Sequence, residues 1–523
     1  MKWVLALAAL VVATRAPLFE KQLFSFDDVN LAYAVGELDV RKSQPHPPGY
    51  PLFVLQMRAL DWLRVKRAES QLQALSILGS IASLAAMVLG FRRPLGQPAA
   101  VLGALLLLFH PSFWYAGLTS ALRVQLALVS IAVAAACWRA RAGEPGWVTR
   151  SAWIFGLGAG IRPELAVALF PLWAWTSWRG WKHLLPAFGV WIVPLLWLSG
   201  GPSEYAQATF EYLADQASLT SAIFGATESL WRRSLVWLFV WIFTGCVGWT
   251  ATLILAAGRL REVPWAFFAI WTVPPLLFYG IVHVADPGQT LAIVAPVCLL
   301  GGWIVARAAE RLAGRGSHRV VGVAMLLPVA LALALWIRHP REAIAVTFAA
   351  GVAGGLAMRR PGSRVPLAQA ALLLIGPVYF LDAVEFFYPK WYYEGPGILG
   401  ALLQDIHSGW SATTYHQMRH TIHADHGQIE LVRNLWTPGA AIVWDKGIVS
   451  ARKLAYYFPH APVVERTTKT LDPASPPVLK QWRGPRAEPV AHPPPERLIW
   501  VLGPQSARRC PGEREFVCLA PSY

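Results

Sequence analysis

Two adjacent carboxylates, Asp27 and Asp28, stand near the start of the stretch FSFDDVNLAYAVGELDVRKSQPHPPGYPLFVLQ (24–56). Neighbouring carboxylates repel, so one of the two can be held protonated at higher pH than usual, and a carboxylate so tuned suits a general base. The same residues also suit a helix start, because an aspartate before Val-Asn-Leu-Ala-Tyr is a good capping residue. Both readings stand on the spacing alone. Shortly after comes PHPPGYP (45–51), with four prolines and one glycine in seven residues. Such a turn is stiff and shaped, so it would hold His46 and Tyr50 in fixed positions for binding. The plainer alternative is an ordinary turn ahead of a helix.

Three further places carry ionisable groups in apolar surroundings. GIRPEL (160–165) puts Arg162 and Glu164 between hydrophobic runs. A charge at membrane depth is costly, so it is usually functional or paired. Arginine is well suited to grip a phosphate, and an Arg162–Glu164 ion pair is the structural alternative. HVADPGQT (283–290) offers His283, Asp286 and Gln289 to one cavity, unless Asp286-Pro287-Gly288 is simply a turn. Arg123 lies near the start of the fourth apolar run.

The elements that must position these residues are membrane helices. The chain has 523 residues, is 55% hydrophobic and has a mean hydropathy of +0.42. Its apolar residues fall into blocks long enough to cross a hydrocarbon core of about 30 Å. Backbone groups cannot be left unpaired there, so helices are expected. Candidate spans are 3–19, 71–90, 99–113, 117–137, 151–161, 165–177, 183–200, 232–256, 264–283, 289–308, 320–337, 342–358 and 365–381. The expected class is a polytopic α-helical membrane protein of about 11–13 spans. The runs 151–161 and 165–177 are too short to cross alone and read as a hairpin broken at Arg162-Pro163. The first run lacks a convincing cleavage site and is expected to remain as a helix.

Lys and Arg outnumber Asp and Glu by 46 to 30. Nucleic acid is not the expected partner, because most of the basic residues fall in short connections between spans, where topology explains them. Arg92/Arg93, Arg139/Arg141/Arg150, Arg179/Lys182, Arg259/Arg261 and Arg307/Arg311 mark one side as cytoplasmic; Asp27, Asp28, Glu204, Glu211, Asp215 and Asp286 mark the other as outer. Arg41, Lys42, Arg64, Lys66, Arg67, Arg232 and Arg233 are exceptions. Trp138, Trp147, Trp175, Trp178 and Trp181 sit near block ends, as in an interfacial belt.

The expected division is a membrane domain over 1–381, with its first outer loop at 20–70, and a small outer α/β domain over 382–523. In the latter, 440–445, 461–465 and 497–503 read as buried strands, 449–458 as a helix and the Pro-rich 471–496 as an irregular loop. Cys137, Cys246 and Cys298 fall in apolar runs and read as inert core residues. Cys510 and Cys518 are candidates for a disulfide. His416, His420 and His423, in the His-rich stretch 407–426, have helical spacing that allows a metal but read better as solvated surface.

Taken together, an initial span, the FxxDD-type motif at 24–28, HPPGYPL at 46–52, Gly160-Ile161-Arg162 and His283…Gly288-Gln289 resemble the polytopic GT-C superfamily of glycosyltransferases. The bacterial protein-mannosyltransferase-like and aminoarabinose-transferase-like branch is the nearest likeness, over roughly residues 1–380. The resemblance implies transfer of a sugar from a polyprenyl-phosphate carrier to a lipid, glycan or protein acceptor. It places the enzyme in a bacterial inner membrane, with site and C-terminal domain on the extracytoplasmic side. The family's first-loop acid maps to Asp27, with Asp28 as its neighbour. Where many relatives carry an acid at the start of the fourth span, this chain has Arg123. Arg162, with His283, would face the leaving phosphate, and His46, Tyr50, Gln289, Arg123 and Glu164 would complete the binding site. No cofactor is expected; a divalent metal is left open. Two other readings fit part of the sequence. One is a transporter or flippase for a lipid-linked substrate, which would form no product. The other is a non-catalytic, glycan-binding relative.

Overall fold

A computed structural model describes residues 2–221, 228–243, 253–282, 286–314, 386–387, 397–445, 449–467, 478–483, 486–490, 498–502 and 516–519. Helix α1 (Lys2–Arg15) leads into a first loop that contains α2 (Phe26–Gly36) and α3 (Pro51–Trp62). The long helices α4 (Ala68–Phe91) and α7 (Ala121–Arg141) follow, flanking α5 (Gln97–Leu108) and α6 (Pro111–Thr119). At 24 and 21 residues, α4 and α7 reach about 36 and 31 Å, enough to span a bilayer core. Instead of one helix over 99–113, α5 and α6 form a bent pair at 58°. Pro111 is the reason: it takes the first position of α6 and keeps His110 extended at ψ 125°.

The next three helices, α8 (Trp147–Ile161), α9 (Leu165–Ser177) and α10 (Trp181–Leu198), run up, down and up. Leu165–Leu198 is apolar enough to pass for one long span, but the packing shows a reversal at Trp178–Gly180. Phe155 stacks on Trp173 with ring centres 5.7 Å apart, while a Cβ at the adjacent Gly156 would come within 2.6 Å of Ala187. Trp173 and Ala187 could not both reach the same turn of α8 from a straight helix, since 14 residues advance about 21 Å. The hairpin expected at Arg162-Pro163 is therefore present. Trp175, Trp178 and Trp181 crowd its far end, all at least 39% exposed, where the Arg141 guanidinium lies 3.7 Å from the Trp175 ring centre. Trp173, in contrast, is core.

The longer helices that follow, α11 (Pro202–Thr220), α12 (Glu228–Phe243) and α13 (Trp265–Leu277), precede α14 (Leu291–Gly314). Gly103 of α5 meets Gly302 of α14 so closely that a side chain on either would strike the partner's backbone. Small residues at such crossings let membrane helices pack through their backbones. The central cluster, with Leu106, Leu107, Val124, Ile131, Trp271 and Leu299, is fully enclosed. Among the described residues, five helices, or six with the bent pair, are long and apolar enough to cross a membrane. The candidate spans at 320–337, 342–358 and 365–381 lie outside the described residues.

Beyond α15 (Gly397–Ser411) and α16 (Tyr415–Leu435) comes a six-stranded sheet of order β4-β3-β2-β1-β5-β6. Strands β1 (Ala441–Asp445), β2 (Val463–Thr467), β5 (Leu498–Leu502) and β6 (Phe516–Leu519) are parallel, with α17 (Ala451–Tyr457) crossing from β1 to β2. The strands expected at 440–445, 461–465 and 497–503 are present. The expected loop at 471–496 is corrected: β3 (Val478–Arg483) and β4 (Arg486–Val490) form an antiparallel pair there. Pro489 is tolerated because β4 is an edge strand. His416, His420 and His423 are exposed on α16, opposite the buried Met418, Ile422 and Ile429, and His423 accepts a hydrogen bond from Arg419. The Cys510–Cys518 pairing lies outside the described residues; Cys137 and Cys298 are buried, as expected of core residues.

Candidate active site

The site grows from the start of α2. Ser25 caps the helix: its hydroxyl accepts from the Asp28 amide at 3.2 Å, and the Asp28 carboxylate accepts from the Ser25 amide at 2.9 Å. This reciprocal box satisfies two of the free N–H groups at the helix start. Asp28 is therefore the helix's own anchor, buried to 3% exposure. Burial pushes its carboxyl up to about 7, with repulsion from Asp27 adding to the effect and the Ser25 hydrogen bonds opposing it. The capping expectation thus falls on Ser25 and Asp28, and leaves Asp27 with a different role.

Asp27 is 39% exposed and faces a cation and an imidazole. Its carboxylate lies 3.8 Å from Arg123 and 3.4 Å from Nδ1 of His46. On its other edge the His46 ring meets the Tyr50 hydroxyl, 3.0 Å from Nε2. The tautomer that serves both neighbours carries its proton on Nδ1 toward Asp27 and accepts from Tyr50 at Nε2. Burial holds His46 below its ordinary pKa, against the pull of Asp27, so the ring is a neutral link. Burial likewise raises Tyr50, which stays a hydroxyl donor.

The proline-rich turn fixes this relay. Gly49 has φ +100°, and a Cβ there would lie 3.1 Å from Leu195 and 3.3 Å from Val40, so both the fold and the space call for glycine. The Pro48 carbonyl accepts from the Tyr205 hydroxyl at 2.8 Å, and Tyr212, also of α11, stacks on His46 with ring centres 5.3 Å apart. Nothing in the sequence singled out Tyr212: it sits in a polar stretch with no motif.

Arg123 occupies the first turn of α7, 16% exposed, and reaches Asp286 as well as Asp27, 3.8 Å from each. Asp286 caps the turn Pro287–Thr290, accepting from the Gly288 amide at 2.6 Å, while the Gln289 side chain accepts from the Asp286 amide at 3.3 Å. A Cβ on Gly288 would fall 2.7 Å from Arg123 Cβ, so this close approach requires glycine. Gln289 is buried and braces the turn. The 283–290 segment thus comes to the acid through Asp286; His283 lies outside the described residues.

Arg162 lies deeper, 2% exposed and paired with Glu164, its guanidinium 5.2 Å from the Tyr50 ring centre. Among the described residues, its Nε and Nη1 atoms and one Glu164 oxygen have no hydrogen-bond partner. Asp27, Arg123, Asp286, His46, Tyr50, Tyr212, Arg162 and Glu164 are therefore linked by contacts into one polar cluster. It joins a half-exposed carboxylate to two arginines.

No protein-family model matches the chain, and no curated protein does. Solved structures do share its fold. ArnT from Cupriavidus metallidurans bound to undecaprenyl phosphate matches with TM-score 0.55 at 15% identity, over 88% of this chain and 86% of that one. The same protein in its apo state matches with TM-score 0.51 at 16% identity, over 90% and 86%. The chain is a polytopic helical membrane protein with a C-terminal sheet, and it shares the fold of those ArnT structures.

Proposed function

We propose that the protein is a membrane glycosyltransferase that moves a sugar from a polyprenyl-phosphate carrier to an acceptor outside the cytoplasm. The observation that carries the reading is a half-exposed carboxylate, Asp27, facing Arg123 at the start of the membrane helix α7 across 3.8 Å. The fold it shares with a protein solved bound to undecaprenyl phosphate supports a lipid-phosphate donor.

The chemistry follows from the charges. The acceptor O–H or N–H loses its proton to Asp27 as its heteroatom attacks the anomeric carbon. The bond from that carbon to the phosphate oxygen breaks on the opposite face, so the product is inverted. The departing polyprenyl phosphate gains negative charge, which Arg123 is placed to offset. Arg162, already engaged with Glu164, supports Tyr50 from beneath its ring. His46 and Tyr50 hold Asp27 in position. The donor brings its own leaving group, so a nucleotide is not needed, and Arg123 supplies the positive charge that a metal provides in other designs. The basic ends at Arg139, Arg141, Arg150, Arg179 and Lys182 lie at the other ends of these helices from the site, which supports an outer site and agrees with a bacterial inner-membrane location.

The test is product formation by detergent-solubilised protein offered polyprenyl-phosphate-linked sugars with membrane lipid extract as acceptor. A labelled glycoside is expected. A preparation that binds the donor and releases it unchanged over hours, as a flippase would, overturns the proposal.

A further inference from the structure

Among the side chains that tie the C-terminal domain to the first loop is Arg452. Arg452, on α17, is 4% exposed. Its Nη2 donates to the carbonyls of Lys42 and Ser43, both at 3.1 Å. Its guanidinium lies 5.6 Å from the ring centres of both Phe26 and Tyr33, and 5.4 Å from that of Trp482 on β3. The two carbonyls belong to the tip of a short closed loop. Asp39 and Gln44 pair through both backbone hydrogen bonds, at 2.8 and 3.1 Å, and Ser43 turns the chain back at φ 53°. Pro45 and His46 follow directly. Phe26 directly precedes Asp27.

Arg452 therefore holds both strands of the relay: one through the residue beside Asp27, the other three residues before His46. A planar guanidinium with fixed donors and stacking faces suits this double grip, and an ammonium does not. We propose that Arg452 is a positioning residue. It sets the Asp27–His46 register from the C-terminal domain, so that this domain completes the site without contributing a reacting group. The inference rests on the proposed transferase reading for its kinetic arm and on the fold alone for its structural arm.

The experiment compares the full-length protein with R452A, R452K and Y457F. Tyr457 serves as the docking control, since its hydroxyl accepts from the Leu23 amide at 2.9 Å and lies 3.1 Å from Glu69, away from the His46 loop. Hydrogen exchange is read on peptides covering 26–34 and 39–46, and transfer from polyprenyl-phosphate-linked sugar is read as kcat and KM. For R452A we expect at least about tenfold faster exchange in both segments. A misplacement on the order of an ångström costs roughly 100-fold, so kcat should fall by about that factor while donor KM stays within about threefold. R452K should recover little of the loss. Y457F should lower Tm and leave kcat unchanged. Unaltered exchange at 39–46 in R452A overturns the proposal whether or not the protein is a transferase. So does a kcat loss in Y457F equal to that in R452A at matched Tm. Failure of the wild-type protein to transfer would instead count against the proposed function and leave the exchange result to decide this one.

Discussion

Removing Arg123 separates two roles that the geometry gives it. In the resting site it offsets Asp27 and Asp286, 3.8 Å from each. An ion pair at that distance is worth about 4 kcal/mol at an effective dielectric of 20. Asp27 is 39% exposed and Asp286 32%, so solvent screening reduces each contact to about 1 kcal/mol. The loss of stability in R123A should thus be small, about 1–2 kcal/mol, read as a modest drop in Tm. On the proposed mechanism, the same guanidinium faces in the transition state the charge that gathers on the departing phosphate. Preorganised donors of this kind are typically worth about 3–4 kcal/mol, a factor of about 100 to 1000. R123A is expected to lower kcat/KM for a polyprenyl-phosphate-linked sugar by that factor. R123K keeps the charge but loses the planar fork, and should fall about tenfold. The assay is initial-rate transfer in detergent, with Tm measured on the same preparations. A kcat/KM for R123A within about threefold of wild type would refute the electrostatic reasoning, and a fall in rate matched by a collapse in Tm would refute the separation of roles.

Tyr50→Phe removes the hydroxyl that binds His46 at 3.0 Å and leaves the ring under Arg162; a loss of about 1 kcal/mol in stability and about tenfold in kcat is expected, by thermal melting and initial rates. Gly49→Ala places a Cβ at φ +100° against Leu195 and Val40 and should cost roughly 1–3 kcal/mol, seen as a lower Tm. Asp28 is held near 7 in the fold against its usual 3.8, so the folded protein binds a proton there that the unfolded chain releases. Its contribution is complete below pH 3.8 and is lost as pH rises past about 7, with an upper bound of about 4 kcal/mol. Melting curves between pH 5 and 8 should therefore show falling stability in wild type and a flatter profile in Asp28→Asn.

Much of the membrane architecture was legible because apolar runs and prolines act locally. The hairpin at Arg162-Pro163 needed only the rule that proline ends a helix, and β1, α17, β2 and β5 needed only short apolar runs between turns. The same locality hid other features. The β3–β4 hairpin uses a proline on an edge strand, which reads as loop until the strand order is known. The bend at His110-Pro111 lay inside a run that hydropathy alone treats as one span. At the site, residue types named the acids and arginines, but their pairing depended on tertiary packing. Asp27 and Asp28 are indistinguishable in sequence, yet one caps a helix and the other faces Arg123 and His46. Arg123 looked secondary and Arg162 primary; the fold puts Arg123 beside the acid and Arg162 in an ion pair with Glu164. Tyr212 and Arg452 carried no signal, since each reaches the first loop from a helix more than 150 residues away.

The decisive comparison is Asp27→Asn against wild type, in detergent, with undecaprenyl phosphate binding and sugar transfer measured on the same preparations. Asparagine keeps the size and the contact with His46 but cannot take a proton. The account predicts binding within a few-fold of wild type and transfer reduced by at least about 1000-fold, since both the base and its charge are gone. Transfer by Asp27→Asn at a rate near that of wild type would contradict it.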